Sequence, residues 1–451
     1  MSLLNRIKSK VVLIGIVSLI ASCTSTVDEN IGNTVITKWQ GDKKSAISIT
    51  YDDGIINQMT VARPIMNKLN IPATFYVITG KVKGSEKGKF IGRPNDEIIK
   101  ETESIKTNSE NFFERASLIG YTGTTEALIY HTNAGSLFES GNKTEAYALI
   151  DEGYEKIRSG EMKNTDDVVF HNNAVDTTTW EQYKSYAAEG HEIASHSVTH
   201  PRLAALDEVN LLYELEQSKT DIQKFMGEEY TFSAECPFGT ENERVMDYAH
   251  KIYPSLRNRM PEDYLDELNR SSKKQPGESV KEYVQWQRGP RTHTSMDEMK
   301  SWVDTCIVND NIWLVLVFHG IDGIGWESKT GAELEEYFSY MNEKEVHLWI
   351  ATFADVTKYI RERKNAEVTS ISQGKSIVIN VSSSLDPAVY NVPITLKTYV
   401  PSSWKGVTFS TDVIQEKQQG IKIKQDKEGS YILYSIVPDK LNNEIVLTEK
   451  I

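Results

Sequence analysis

Eight short runs with the residue pattern of β-strands, near 46–51, 73–78, 191–195, 231–236, 255–258, 283–288, 312–318 and 346–351, are separated by stretches long enough for helices. Antiparallel neighbours need only a tight turn, whereas strand, helix and strand in succession make a parallel pair. The order therefore predicts an α/β fold, a barrel of parallel strands ringed by helices. Thr240 with Glu243, and Ser295 with Glu298, have capping-box spacing and mark helix starts.

The carboxyl ends of barrel strands form the rim that carries functional groups. Two of the runs end in ionisable clusters. Ala46, Ser48 and Thr50 alternate with Ile47, Ile49 and Tyr51, and the strand breaks at Asp52-Asp53-Gly54. His191-Glu192-Ile193-Ala194 leads into Ser195-His196-Ser197-Val198-Thr199-His200. Imidazoles four residues apart share one face of a helical turn and can reach one cation at about 2.0–2.1 Å beside a carboxylate. Pro201 limits any helix there. Two histidines and one acid leave a position for water, and a second, adjacent carboxylate can activate it. Alone, each motif is weak. Among nine histidines an H-x3-H spacing arises by chance in roughly one such chain in five, and Asp-Asp-Gly is ordinary turn chemistry. Their joint placement on strand ends argues for a metal-hydrolase site. His191 lies inside its strand and reads as structural.

These residues match a known pattern. Thr50-Tyr51-Asp52-Asp53-Gly54 resembles the first motif of the polysaccharide deacetylases, carbohydrate esterase family 4, and His196-Ser197-Val198-Thr199-His200 resembles their second. Pro237-Phe238-Gly239 is similar to the end of the third, and Leu314-Val315-Leu316-Val317-Phe318-His319 to the strand ending in the fifth, Leu-x-x-His. Trp349-Ile350-Ala351-Thr352-Phe353, with Val356 and Tyr359, resembles the closing strand and last helix. The resemblance implies a distorted barrel of about seven strands over residues 35–365. It implies Asp53, His196 and His200 as metal ligands, Asp52 as general base and His319 as general acid. It further implies that the Phe238 backbone N–H holds the oxyanion and that Leu316 lines the acetyl-methyl pocket. One divalent ion is expected, zinc by ligand type, with cobalt, nickel or iron as alternatives. The implied activity is removal of acetyl groups from a poly- or oligosaccharide. The alternatives are an inactive glycan-binding protein on the same barrel and a hydrolase of a non-acetyl amide.

The sequence departs from that pattern at Glu235, where the family often has an arginine that pairs with the base. A buried acid there raises the pKa of the base unless a cation answers it. Arg257, Arg288 and Arg291 are the candidates, with Arg288 preferred. The fourth motif, an Asp-containing stretch that tunes the catalytic histidine, is not recognisable, so the residue that orients His319 is open.

Three segments lie outside the minimal pattern. Lys81 to Val175 is a polar, partly helical interval with Phe90, Phe112, Phe113, Tyr121, Tyr130 and Phe138. It is read as an insertion above the rim, with a lid or substrate-binding wall and packing without substrate contact as the two open alternatives. After Asn365, short β-type runs broken by Pro, Gly and Asn predict a small all-β sandwich over 370–451. Its Trp404, Tyr390 and Tyr399 are expected in packing rather than on sugars. At the other end, Arg6, Lys8 and Lys10 precede an apolar run from Val11 to Ile20, which with Ala21-Ser22 makes residues 1–22 a secretory signal. Ile20-Ala21-Ser22-Cys23 resembles a bacterial lipobox, which implies a lipidated Cys23 and residues 23–34 as a polar tether. The expectation is an exported enzyme anchored to a bacterial membrane rather than spanning it.

Cys236 and Cys306 are then expected as two buried thiols. A formal net charge of -14 argues against nucleic acid as a partner and is read as fitting a neutral glycan. Oligomeric state is left unconstrained.

Overall fold

The computed structural model describes residues 30–121, 124–162, 178–410, 421–438 and 443–450. The signal segment, Cys23 and most of the tether lie outside the described residues, as does the end of the 81–175 interval. No helix among the described residues is long and apolar enough to cross a membrane.

In chain order the strands are β1 (Thr34–Ile36), β2 (Ser45–Tyr51), β3 (Thr74–Val77), β4 (Glu192–Ser195), β5 (Ser233–Ala234), β6 (Ser255–Leu256), β7 (Leu265–Leu268), β8 (Tyr283–Arg288), β9 (Ile312–Phe318) and β10 (Leu348–Ile350). Strands β2 to β10 form one parallel sheet of nine strands in the order β6-β5-β4-β3-β2-β9-β8-β7, rather than about seven. Strand β10 pairs with the first half of β2, at Ser45–Ile47, and β3 with its end, at Thr50–Tyr51. Among the described residues no ladder joins β6 to β7, so the barrel stays open on that side. The unforeseen strand is β7, whose Leu-Asp-Glu-Leu sequence carries no apolar alternation and sits at the sheet's edge.

Strand parity sorts the side chains into two environments. On β9, Ile312, Leu314, Leu316 and Phe318 join the cluster packed against the surrounding helices, while Trp313, Val315 and Val317 face the interior. On β2, Ile47, Ile49 and Tyr51 face the helices, and Ala46 faces in. Inward parity carries on to Asp52 and His319, just beyond the two strands, so both are delivered to the barrel mouth. The helix Phe353–Asn365 closes the interior cluster with Phe353, Val356 and Ile360.

Ser295 caps the helix Met296–Val308 as expected, its hydroxyl accepting from the Glu298 N–H. The Thr240–Glu243 box does not form. Asn242 caps the helix Glu243–Ile252 instead, and the Thr240 hydroxyl donates to the Pro237 carbonyl. Asn accepts from the N3 amide as well as Thr does, and Asn242 stands two residues closer to the helix, directly before it.

The remaining strands are β11 (Ala366–Gln373), β12 (Ser376–Ser383), β13 (Ile394–Tyr399), β14 (Val407–Ser410), β15 (Lys424–Asp426), β16 (Gly429–Ile436) and β17 (Asn443–Glu449). They make two antiparallel four-stranded sheets, β1-β13-β16-β15 and β11-β12-β17-β14, around one apolar core. The lead-in strand β1 thus pairs with β13 of the sandwich. Trp404 and Tyr399 are buried in packing, and Tyr390 meets Phe232 of the barrel with ring centroids 5.8 Å apart. Cys236 and Cys306 are free, buried thiols.

Candidate metal centre and active site

The ends of β2, β4, β5, β7 and β9 converge on a cavity of about 730 Å³ lined by Asp52, Asp53, His196, His200, Glu235, Phe238 and His319, with Arg202, Arg270 and Trp326 around them. Ligand-type atoms of Asp53, His196 and His200, all buried, lie within 4.8 Å of one another. Asp53 Oδ1 is 3.3 Å from His200 Nε2 and 3.8 Å from His196 Nε2. His196 Nδ1–H donates to the Glu235 carbonyl at 3.0 Å, which fixes the tautomer and leaves the Nε2 lone pair facing Asp53. This donor set fits a divalent ion of the zinc type.

The histidines do not meet through a helical turn. His196 to His200 is a loop, with Ser197 and His200 both at φ 63°. Pro201 bars helical geometry for His200, and the left-handed residues fold the ring back toward His196, with centroids 4.7 Å apart. Asp53 (φ 75°) and Phe238 (φ 62°) are left-handed as well, so four of the eight non-glycine residues with positive φ among those described lie at this site. Such strain persists only where the surroundings over-determine it.

Two unforeseen residues impose it. Glu214, buried on the helix Glu208–Phe225, accepts from the Val198 and Thr199 N–H groups at 2.8 Å each and from the Thr199 and Tyr121 hydroxyls at 2.6 Å each. Gln58 opens a π-helical turn and donates to the backbone carbonyls of Asp52 (2.6 Å) and His319 (2.9 Å), tying the two catalytic candidates together. Glu214 had a readable signal, a charge on the apolar stripe Leu211, Leu215, Ile222. Gln58 had none.

The cation that answers Asp52 is Arg257, not the preferred Arg288. Arg257 donates from Nη1 to Asp52 Oδ1 at 2.6 Å and from Nη2 to Oδ2 at 2.7 Å, a bidentate fork that is almost wholly buried. Its Nη1 also reaches Thr50 Oγ1 at 2.8 Å, and Nη2 reaches Glu235 Oε1 at 2.8 Å. Parity excludes Arg288, because Val284 and Trp286 of its strand face the helices and Arg288 falls on their side, stacked 4.6 Å over Trp286. Arg291 is exposed, on the cavity next door.

Burial alone would raise the Asp52 pKa, but Arg257, with His319, overcomes it and holds the carboxyl well below the usual range. Glu235 goes the other way: burial, with Asp52 nearby, outweighs Arg257 and raises its pKa. His319 Nε2 is 3.4 Å from Asp52 Oδ2, and burial lowers its pKa despite the carboxylates. Its ring meets Trp326 edge-on, centroids 4.8 Å apart. Lys81 stands near Asp53, and burial lowers its pKa to about 8.

Residues 40–105 and 151–273 match the family model for polysaccharide deacetylases. Over those segments the chain matches the polysaccharide deacetylase family. The match takes in Asp52, Asp53, His196, His200, Glu235 and Arg257 and skips 106–150, inside the insertion. A gellan lyase from a Bacillus species is 26% identical over 290 residues, covering 59% of this chain and 11% of the lyase, so the chain spans about a tenth of that relative's length. A mutant peptidoglycan deacetylase from Bacillus subtilis aligns at 13% identity over 71% of this chain and 93% of its own, with a TM-score of 0.33. A family 4 carbohydrate esterase from Bacillus anthracis aligns at 15% over 72% and 86%, with a TM-score of 0.31. The strand order, not these superpositions, carries the fold.

Two readings for the deacetylase site change and one holds. Leu316 does not line the cavity; it is wholly buried against the helices, since it differs by three residues, and so in parity, from His319. Phe238 and Trp326 supply the apolar walls. No described residue of the insertion lines the cavity either. Instead the insertion braces the histidine loop from behind, through Tyr121 on Glu214 and through His131 Nε2, which accepts from the Arg202 N–H at 3.0 Å. His191 is structural: Nδ1 accepts from the Ala73 N–H, Nε2–H donates to Asn67, and burial lowers its pKa to about 4.

Proposed function

We propose that the chain is a metal-dependent hydrolase that removes acetyl groups from a polysaccharide or oligosaccharide. The observation that carries this reading is the buried Asp53, His196 and His200 cluster set beside Asp52 in its Arg257 fork. A divalent ion held by those three residues, zinc by preference and cobalt, nickel or iron otherwise, would polarise the acetyl carbonyl and acidify water. Asp52, kept charged by Arg257, takes a proton from the attacking water. His319, across from Asp52 Oδ2, protonates the departing sugar oxygen or nitrogen. The Phe238 N–H, on its left-handed turn, is the candidate donor to the oxyanion. The leading segment supports export and anchoring through a lipidated Cys23.

The test is metal analysis of the purified protein with acetate release on acetylated xylan and on N-acetylglucosamine polymers. We expect one equivalent of divalent metal and acetate from one substrate class. Asp52→Asn should keep the metal and lose about 10²–10⁴-fold in rate, whereas His196→Ala should lose the metal. Neither metal nor acetate in the wild type would overturn the assignment.

A further inference from the structure

A second cavity, of about 680 Å³, adjoins the metal centre over the carboxyl ends of β7 and β8 and reaches the helix Met296–Val308 at Trp302. Phe238, Gly239, Arg270 and Trp326 line both cavities, so the two form one continuous cleft. Its walls bring together three arginines, Arg270, Arg288 and Arg291, and three tryptophans, Trp286, Trp302 and Trp326.

The arginines have carboxylates only at longer range, Asp52, Glu235 and Glu241 for Arg270, Glu298 for Arg288 and Glu327 for Arg291, and none in a close ion pair. Among the described residues no carboxylate oxygen lies within 4.0 Å of any of the three guanidinium groups. Arg288 Nη1 reaches only its neighbour's carbonyl, Gln287 O, at 3.5 Å. Arg270 lies 5.9 Å over Trp326 and Arg288 4.6 Å over Trp286. Of the two acids on the wall of this second cavity, Glu241 accepts from Asn258, and Glu298 lies beyond ion-pair range of Arg288. A chain with 64 acidic and 50 basic residues has carboxylates to spare, yet among the described residues none closes an ion pair on these three cations. Like charges gathered in a cleft raise the local concentration of the opposite charge whatever the net charge of the molecule. The planar fork of arginine matches a carboxylate in two hydrogen bonds, and the exposed Trp326 offers an apolar face to a sugar ring, while Trp286 and Trp302 are buried in the wall behind.

We propose that this cleft binds a carboxylate-bearing sugar unit next to the acetylated one, so that the substrate is an acidic glycan. This replaces the neutral glycan expected from net charge, which averages over the whole surface and not over this second cavity, where three arginines stand against two glutamates. The inference rests on the deacetylase reading only for the position of the reacting unit.

The test is calorimetric binding to the zinc-loaded full chain of a uronic acid tetrasaccharide, its carboxyl-reduced neutral counterpart and a sulfated neutral tetrasaccharide. The uronate should bind at least tenfold tighter than the neutral sugar at low salt, with the advantage shrinking as salt rises. The Arg288→Gln/Arg291→Gln variant should lose that advantage while hydrolysing 4-nitrophenyl acetate at the wild-type rate, which separates the cleft from carboxylate binding at the metal. Arg291 is exposed, so Arg291→Glu gives a second reading if the double variant does not fold. Equal binding of uronate and neutral sugar, an advantage that survives both variants, or a stronger preference for the sulfated sugar would overturn the proposal. A failed deacetylase reading would look different: selective uronate binding without acetate release from any glycan.

Discussion

The barrel and the sandwich fill their interiors in opposite ways. Inside the barrel the Trp313 indole N–H donates to Ser48 Oγ at 3.0 Å, and Gln287 donates to the Arg257 carbonyl and to Gln285 Oε1 at 3.0 and 3.1 Å. Buried Glu192 accepts from Thr74 Oγ1 and the Ala354 N–H at 2.7 and 3.0 Å. The sandwich core is built on Ile377, Ile379, Val381, Ile394, Leu396, Ile432, Ile445 and Leu447, and its buried polar groups include neutral hydroxyls that pair with one another, Thr398 with Thr34 and Tyr434 at 3.0 Å each. A polar interior holds charged groups at fixed positions only when each is answered, whereas an apolar one tolerates repacking. Chemistry therefore belongs to the barrel, and the sandwich contributes packing.

The sharpest way to break this contrast is Arg257→Met. It leaves Asp52 and Glu235 buried together without their cation. We expect a loss of about 3–5 kcal/mol in urea unfolding, with acetate release falling at least as far as in Asp52→Asn. Retained activity would mean that the fork is not what keeps Asp52 charged. The counterpart in the sandwich is Leu396→Ala, which should cost about 2–5 kcal/mol and leave acetate release per folded molecule unchanged. A drop in turnover there would show that the sandwich takes part in catalysis.

Glu214→Gln tests the brace behind the histidine loop. An amide replaces an acceptor that serves four donors, for a cost of about 1–3 kcal/mol. Because the loop carries two ligands, metal affinity should fall about 10–100-fold, read by competition with a chelator. Unchanged affinity would confine Glu214 to folding.

The smallest effect concerns the seam between the two parts. Glu362, buried on the helix Phe353–Asn365, has a pKa raised to about 8 by burial, only partly offset by Lys358 and the Val392 amide. Its folded pKa lies above its unfolded value of about 4.3. Its contribution to stability is therefore complete below pH ~4.3 and lost as pH rises through about 8. Glu362→Gln should flatten that decline, raising the melting midpoint at pH 9 by about 2–4 °C per kcal/mol recovered and changing little at pH 4. A melting curve with equal pH dependence in both proteins would remove Glu362 from the account.

Much of this was readable because it is local. The alternation through Ala46–Tyr51 placed Asp52 and Asp53 at a strand end, and the strand into His196 did the same for the second motif. The readings that failed were those that depended on geometry between segments. Leu316 resembled a pocket residue by motif, but its parity turns it to the helices. The histidine pair resembled a helical turn, but Pro201 and two left-handed residues make it a loop. Arg288 was preferred over Arg257 without knowledge of which strand face each would occupy.

The sequence by itself determined the parallel α/β character of the barrel, the two ionisable motifs and the all-β character of the C-terminal part, since periodicity and turn residues act over a few positions. Only the tertiary structure decided that Arg257 forks Asp52, that Glu235 shares that cation, and that Arg270, Arg288 and Arg291 meet in one cleft. These contacts join residues far apart in sequence, and their energies depend on mutual burial that no single segment encodes.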